Sequence, residues 1–190
     1  MIDELKKYIT KIHKIPEELL AEFLAHWHFK SFEKKEIITL SEKIEKYLYF
    51  TTKGIQKAYY VKDGKEYNVA FTYPYAFTCI PESFLTQKPS KYTFQCLTES
   101  EFLRISHNDF FKFVEIHHEF ETLLRKTLIS TLNGLVNRYH RLLSLTIEER
   151  FLDLMKNSPQ LINQIPHKEI ANYLKIDPTN FSKLLNTVKI

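Results

Sequence analysis

The sequence predicts an α+β protein: an N-terminal helical segment, a small β barrel or sandwich, a long helix and a compact helical unit at the C-terminus. Three observations carry this. Residues 32–105 are rich in Tyr, Phe, Val and Thr and alternate in places, as in "KYLYFTTKGIQKAYYVKDGKEYNVAFTY". Residues 107–145 contain no Pro and repeat their apolar positions at helical spacing. Near the end, "IPHKEIANYLKIDPTNFSKLL" divides into two short amphipathic segments that meet at "KID".

The 190 residues are enough to bury a real core. Hydrophobic residues make up 44% and charged residues 26%, as in an ordinary globular chain, and fifteen Phe with eleven Tyr predict an aromatic core. A net charge of +4 permits a polyanionic partner without requiring one. The first sixteen residues lack the apolar core of a signal peptide. No run approaches the roughly 18 apolar residues of a membrane span, so a cytoplasmic location is expected. Cys79 and Cys96 stand in apolar, strand-like surroundings and read as buried reduced thiols.

In order along the chain, Pro16 with Glu17 and Glu18 opens a helix whose apolar stripe is Leu19, Leu20, Phe23, Leu24 and Trp27. Asp63-Gly64 marks a hairpin between two strands. Later runs, "YTFQCL" and "EFLRIS", are also strand-like. Ser106 with Asp109 forms a capping-box pattern, after which the period is helical. Leu124, Leu128, Thr131, Leu135, Arg138, Leu142 and Leu145 recur at alternating spacings of four and three. The first six are the expected seam of a twofold dimer. Leu123, Ile129, Leu132, Val136 and Leu143 make a second stripe, which would face the barrel or another partner. Thr146 and Glu149 form another capping box and open a helix that ends before Pro159.

In the last segment Ile170, Ala171 and Leu174 face a core, and the small Ala171 lets a second helix cross closely. Asp177 is a good N-cap and Pro178 a good first helical residue. Phe181, Leu184 and Leu185 form the buried face of that helix. Thr179, Asn180, Ser182 and Lys183 remain on its open face, in the turns where a recognition helix meets base edges and phosphates. His167 and Lys168, at the start of the preceding helix, are further candidate DNA contacts. A dimer helix feeding such a helix-turn-helix would set two reading heads roughly 34 Å apart.

The arrangement resembles the Crp/Fnr family of bacterial transcription regulators over nearly the whole chain. The best matches are "KGIQKAYYVKDGKEYNVAF", "TIEERFLDLMKNSPQL" and "IPHKEIANYLKIDPTNFSKLL". The last looks like short members of the family of the Bacteroidetes type. The resemblance implies a cyclic-nucleotide-binding-type jelly roll over 1–116, a dimerisation helix over 117–145 and a (winged) helix-turn-helix domain over 146–190. The partners it implies are double-stranded DNA, a second copy, a small-molecule effector and RNA polymerase, with no membrane. It locates an effector pocket at Glu82, Ser83, Ser90 and Lys91, with Thr127 of the long helix.

The chain departs from the family in four ways. Cyclic-nucleotide binders carry a Gly-Glu pair and an Arg that grips the cyclic phosphate, whereas "YAFTCIPESFLTQKPSKYTFQCL" has neither Gly nor Arg. Lys91 lacks the bidentate fork of Arg, so cyclic AMP is not expected as an effector and no cofactor is assigned. Two Cys cannot hold the four-thiolate cluster of the oxygen-sensing branch. The residues that read a GTGA-type half-site are Pro178, Thr179 and Lys183 here, and Lys175 replaces the usual turn Gly and would be strained at positive φ. "NSPQLINQ" is short for a wing hairpin, so the wing should be reduced.

The chain is not expected to be an enzyme. With three Gly it has no phosphate loop, and it has no nucleophile elbow. "HWH" at 26–28 resembles a cupin metal motif but falls in the N-terminal helical segment, where residues two apart diverge. His117-His118 with Glu121 lacks zincin spacing, so no metal is assigned. The alternative to a DNA-binding regulator is a small-molecule-sensing barrel whose terminal helices serve oligomerisation only.

Overall fold

The structure, a computed structural model, describes residues 1–187. Two N-terminal helices, α1 (Ile2–Ile12) and α2 (Glu17–Ala25), precede eight strands: β1 (His28–Phe32), β2 (Ile37–Thr39), β3 (Tyr47–Lys53), β4 (Gln56–Lys62), β5 (Lys65–Thr72), β6 (Ala76–Thr78), β7 (Thr93–Cys96) and β8 (Ser100–Ser106). A short helix, α3 (Pro81–Thr86), separates β6 from β7. The strands form two four-stranded antiparallel sheets, ordered β1-β8-β3-β6 and β2-β7-β4-β5, which face each other as a roll. Phe32, Tyr49, Phe94 and Phe102 fill the interior, so the aromatic richness of the sequence becomes a ring-on-ring core.

The β4–β5 hairpin turns at Asp63-Gly64, with φ of 52° and 72°, the left-handed pair that a two-residue type I′ turn requires. Gly54, at φ +92° between β3 and β4, is also obligatory: a Cβ there would lie 2.4 Å from the Glu99 carbonyl.

After β8 come α4 (His107–Ile116), α5 (His118–Ser144), α6 (Ile147–Asn157), α7 (Leu161–Gln164), α8 (His167–Leu174) and α9 (Pro178–Thr187). Ser106 accepts from the Asp109 amide, and Thr146 and Glu149 complete a reciprocal capping box, so both helix starts read from the sequence are formed.

Two helix boundaries are set by packing. The Pro-free stretch 107–145 is not continuous helix: it breaks at His117, which is extended (φ −123°, ψ 117°). Phe23 explains the break. Phe113 of α4 and Phe120 of α5 both pack on its ring, with centroids 5.1 and 4.3 Å away, and the chain turns between them to bring both there. The N-terminal helical segment ends earlier than expected, at Ala25. His26 caps α2, Trp27 turns into the core and His28 opens β1.

The wing is expected to be reduced, and the short segment "NSPQLINQ" holds no hairpin. Among the described residues no strand follows β8, and 158–165 is a turn and the one-turn helix α7.

Three hydrophobic clusters organise the packing. One joins α1, α2, α4 and the start of α5 to the β1-β8-β3-β6 sheet, and the second fills the roll. The third unites Phe151, Leu154, Leu161, Ile170, Leu174 and Phe181 of the terminal helices with Ile55, Phe71 and Leu97 of the roll.

Candidate nucleic-acid interface and sensor pocket

α8 ends on Lys175, which adopts the left-handed conformation (φ 57°, ψ 45°). The Ile176 amide donates to the Ala171 carbonyl at 2.9 Å and the Lys175 amide to Asn172, a Schellman-type closure in which Gly is the usual residue. The Lys175 ammonium lies 4.3 Å from the ring centre of Tyr67 on β5. Burial holds its pKa below the ordinary lysine value, and the charge of Arg138 adds to this. Asp177 then accepts from the Thr179 amide at 2.8 Å, and α9 begins at Pro178.

Phe181 packs on Phe151 with centroids 5.5 Å apart and anchors the inner face of α9. Thr179, Asn180, Ser182 and Lys183 are all exposed together on its outer side. The Ser182 hydroxyl donates to the Pro178 carbonyl within the helix. Lys168 is exposed at the start of α8. His167 is drawn into local structure: its Nε2 lies 3.2 Å from the Ile162 carbonyl and its ring packs near Phe181.

α8 is fastened to the roll. The buried Lys57 ammonium of β4 meets the carboxylates of Glu66 on β5 and Glu169 on α8, the latter at 2.9 Å. Burial opposes its charge, but the two carboxylates outweigh that and hold its pKa above the ordinary value. The Asn68 amide donates to Asn172 Oδ1 at 2.7 Å, and Asn172 Nδ2 donates back to the Glu66 carbonyl at 2.7 Å. Lys57, Glu66 and Glu169 do not stand out in the sequence, because nothing local to any of them marks a partner so distant along the chain.

Of the five expected effector-pocket residues, Ser83, Ser90 and Thr127 bond within the fold and Glu82 and Lys91 are exposed. Ser83 is 1% exposed: its hydroxyl accepts from the Glu45 amide at 2.9 Å and donates to the Lys88 carbonyl. Ser90, 0% exposed, accepts from the Tyr92 amide and bonds the Tyr92 carbonyl. Thr127 donates to the Leu123 carbonyl of its own helix. Ser83, Ser90 and Thr127 thus each have a hydrogen-bond partner within the fold. Glu82 and Lys91 are exposed; burial raises the Glu82 pKa and the charge of Lys91 opposes this.

Beside Ser83 lies a group the sequence did not single out. Glu45 is 1% exposed and accepts from Thr39 Oγ1 at 2.9 Å and from the Tyr47 amide at 3.3 Å. Burial pushes its carboxyl up to about 7, against the pull of these donors. Glu45 thus commits its carboxyl to the Thr39 hydroxyl and the Tyr47 amide, while its own amide donates to Ser83.

Of the six expected seam residues, Leu128, Thr131 and Leu135 are exposed and Leu124, Arg138 and Leu142 are partly covered by the chain itself. Leu124 packs on the cluster beneath α5. Arg138 Nη2 donates to the Asn68 and Tyr173 carbonyls at 3.3 and 3.1 Å. Thr131, Leu135 and Leu142 line a cleft between α5, β5, α6 and α8. Only Leu128 and Leu135 of the six keep large exposed apolar surface. The outward apolar stripe is instead Ile129, Leu132, Val136, Tyr139 and Leu143, spaced three and four apart, with Leu132, Tyr139 and Leu143 exposed by 60, 61 and 68%. Both stripes recur at helical spacing, and the docking of α5 on the roll separates them.

Among the described residues, no three His, Cys, Asp or Glu side chains converge as metal ligands, and no helix is long and apolar enough to cross a membrane. Both cysteines are free thiols, and burial pushes the Cys96 thiol up to about 11.

An eight-stranded roll flanked by helices, followed by a long helix and a small helical unit, defines the class of fold. Residues 29–117 match the family model of the cyclic nucleotide-binding domain. No curated protein sequence matches the chain significantly. Solved structures share the fold. FixK2 from Bradyrhizobium japonicum aligns with a TM-score of 0.72 at 16% identity, over 84% of this chain and 83% of that one. The c-di-GMP responsive global regulator CLP of Xanthomonas campestris aligns at 0.67 and 14%, over 90% of each chain. The catabolite activator protein of Thermus thermophilus aligns at 0.57 and 16%, over 92% of this chain and 84% of that one.

Proposed function

We propose that the chain is a dimeric, sequence-specific DNA-binding regulator of transcription, built on the Crp/Fnr plan of sensor roll, dimer helix and helix-turn-helix domain. The observation that carries this reading is the outer face of α9. Thr179, Asn180, Ser182 and Lys183 lie on the first turns of a helix whose entry is pinned by the Asp177 cap and whose inner face is pinned by Phe181. Four small or cationic hydrogen-bonding residues in those turns suit base edges and phosphates. Lys168 is a supporting phosphate contact, and His167 contributes mainly by holding the turn before α8.

The outward stripe Ile129, Leu132, Val136, Tyr139 and Leu143 supports a parallel pairing of two α5 helices. This revises the seam expected from sequence. The resident acid Glu45 and the committed hydroxyls of Ser83 and Ser90 support a roll that does not take cyclic AMP in the usual way.

Selection of bound DNA from a random pool with the full chain tests the reading. The expected result is an enriched, partly palindromic site with half-sites about one helical turn apart. Recovery of unenriched DNA, or no DNA, would leave the roll as a sensor without a reading head.

A further inference from the structure

We infer that the cleft between β5, α5, α6 and α8 is a binding site for a small organic oxyanion, a carboxylate or phosphate head on an apolar body. The cleft has a volume of about 400 Å³, within the range of small-molecule sites. It shares none of the five expected effector residues. Its charged lining is Arg138, Arg141, Arg150 and Asp153, three guanidinium groups against one carboxylate. That carboxylate is already taken, since Arg141 Nη1 donates to Asp153 at 2.7 Å.

The remaining two guanidinium groups are under-satisfied. The Nε–H groups of Arg138 and Arg150 are both buried and meet no acceptor among the described residues. These two atoms are shielded from solvent, but neither arginine forms a salt bridge among the described residues, so each brings to the cleft a positive charge that no carboxylate neutralises. Arg138 is held in place from three sides. Its Nη2 is fixed by two carbonyls, and its guanidinium stacks 4.3 Å from the ring centre of Tyr173. A donor fixed this firmly is preorganised for a planar oxyanion.

The rest of the lining sets the body of the ligand. Val69, Ala70, Leu135, Leu142, Leu154 and Leu174 are apolar. An anion carrying an alkyl or aromatic group would satisfy the arginines and cover this surface together, whereas a bare inorganic ion would leave it wet. The lining comes from the roll, the long helix and the terminal helices at once. A bound ligand would therefore tie these three parts together.

The test is ligand-induced stabilisation and calorimetric titration of the full chain with octanoate, phenyl phosphate, inorganic phosphate and chloride. Binding of octanoate or phenyl phosphate, with chloride inert, is expected, and which of the two binds tells a carboxylate head from a phosphate head. Arg150→Met keeps the apolar stem and removes the donors. It should fold at least as well as wild type, because it relieves a buried unpaired N–H, and should bind the successful probe roughly tenfold more weakly. Equal shifts with all four anions, or affinity unchanged in Arg150→Met, would overturn the site. Neither readout involves DNA, so failure of the DNA-binding reading leaves this test intact.

Discussion

The ammonium of Lys57 on β4 donates to the carboxylate of Glu169 on α8 across 2.9 Å, in a place where the lysine is almost wholly shielded from water. This pair, with Glu66 beside it, bolts the first helix of the terminal pair to the roll. Lys57→Met should lower stability by about 2 kcal/mol, because it leaves Glu169 part-buried without its cation. Glu169→Gln should cost less, since Glu66 still partners the lysine. A double-mutant cycle by urea denaturation should return a coupling of about 1–2 kcal/mol. A coupling near zero would mean that α8 is held by its apolar contacts alone.

Lys175 pays a left-handed backbone cost that glycine would not. Lys175→Gly should raise stability by roughly 0.5–1 kcal/mol, the gain in backbone strain being partly offset by loss of the contact with Tyr67. Chemical denaturation measures it, and a loss of stability would show that the contact with Tyr67 dominates the turn.

Glu45 makes stability depend on pH in a definite direction. In the unfolded chain its carboxyl ionises near the ordinary value of 4.5, while in the fold burial raises it to about 7. Between these values the unfolded state binds fewer protons, so this contribution is fully present below pH 4.5 and is lost as pH rises through 7. The loss is on the order of 3 kcal/mol for a shift of this size. Glu45→Gln keeps an acceptor for the amides and cannot ionise. Denaturation at pH 5 and pH 8 should show a smaller fall for the variant than for wild type, and parallel curves would contradict the assignment.

Leu132→Asp tests the outward stripe of α5. Placing a carboxylate at this 60% exposed position should convert a dimer into a folded monomer in sedimentation velocity. Leu142→Ala, in the inward cleft, should leave the dimer intact and lower monomer stability by about 2 kcal/mol. The reverse pattern would restore the seam read from the heptad alone.

Lys183→Ala should weaken binding to the selected site. If the lysine reads a base, the loss falls on that site and spares random DNA. An equal loss on both, with a shallower salt dependence, makes it a phosphate contact.

Much of the fold is legible in the sequence where local chemistry acts alone. The caps at Ser106 and Thr146, the turn at Asp63-Gly64 and the start of α9 at Asp177-Pro178 depend on neighbours within four residues, and all are formed. No Gly or Pro marks the break at His117, and only the family resemblance put a boundary there; both flanking helices pack on Phe23, almost a hundred residues upstream. The inward side of α5 is illegible for a related reason: two apolar stripes compete, and docking on β5 decides between them. The internal hydrogen bonds of Ser83 and Ser90 are not legible, because a hydroxyl bonded to a backbone carbonyl has the same letter as one free for a ligand. The arginine cleft draws on residues from 69 to 174, and no window of sequence contains it.

Ile55, Phe71 and Leu97 of the roll share one cluster with Phe151, Leu161 and Phe181. The terminal helices accordingly lack a core of their own that closes off from the rest. The chain should melt in a single transition, and cutting it after residue 145 would not liberate a well-behaved sensor. It would bare an oily end on the roll, and the shortened protein should bind hydrophobic dyes and self-associate.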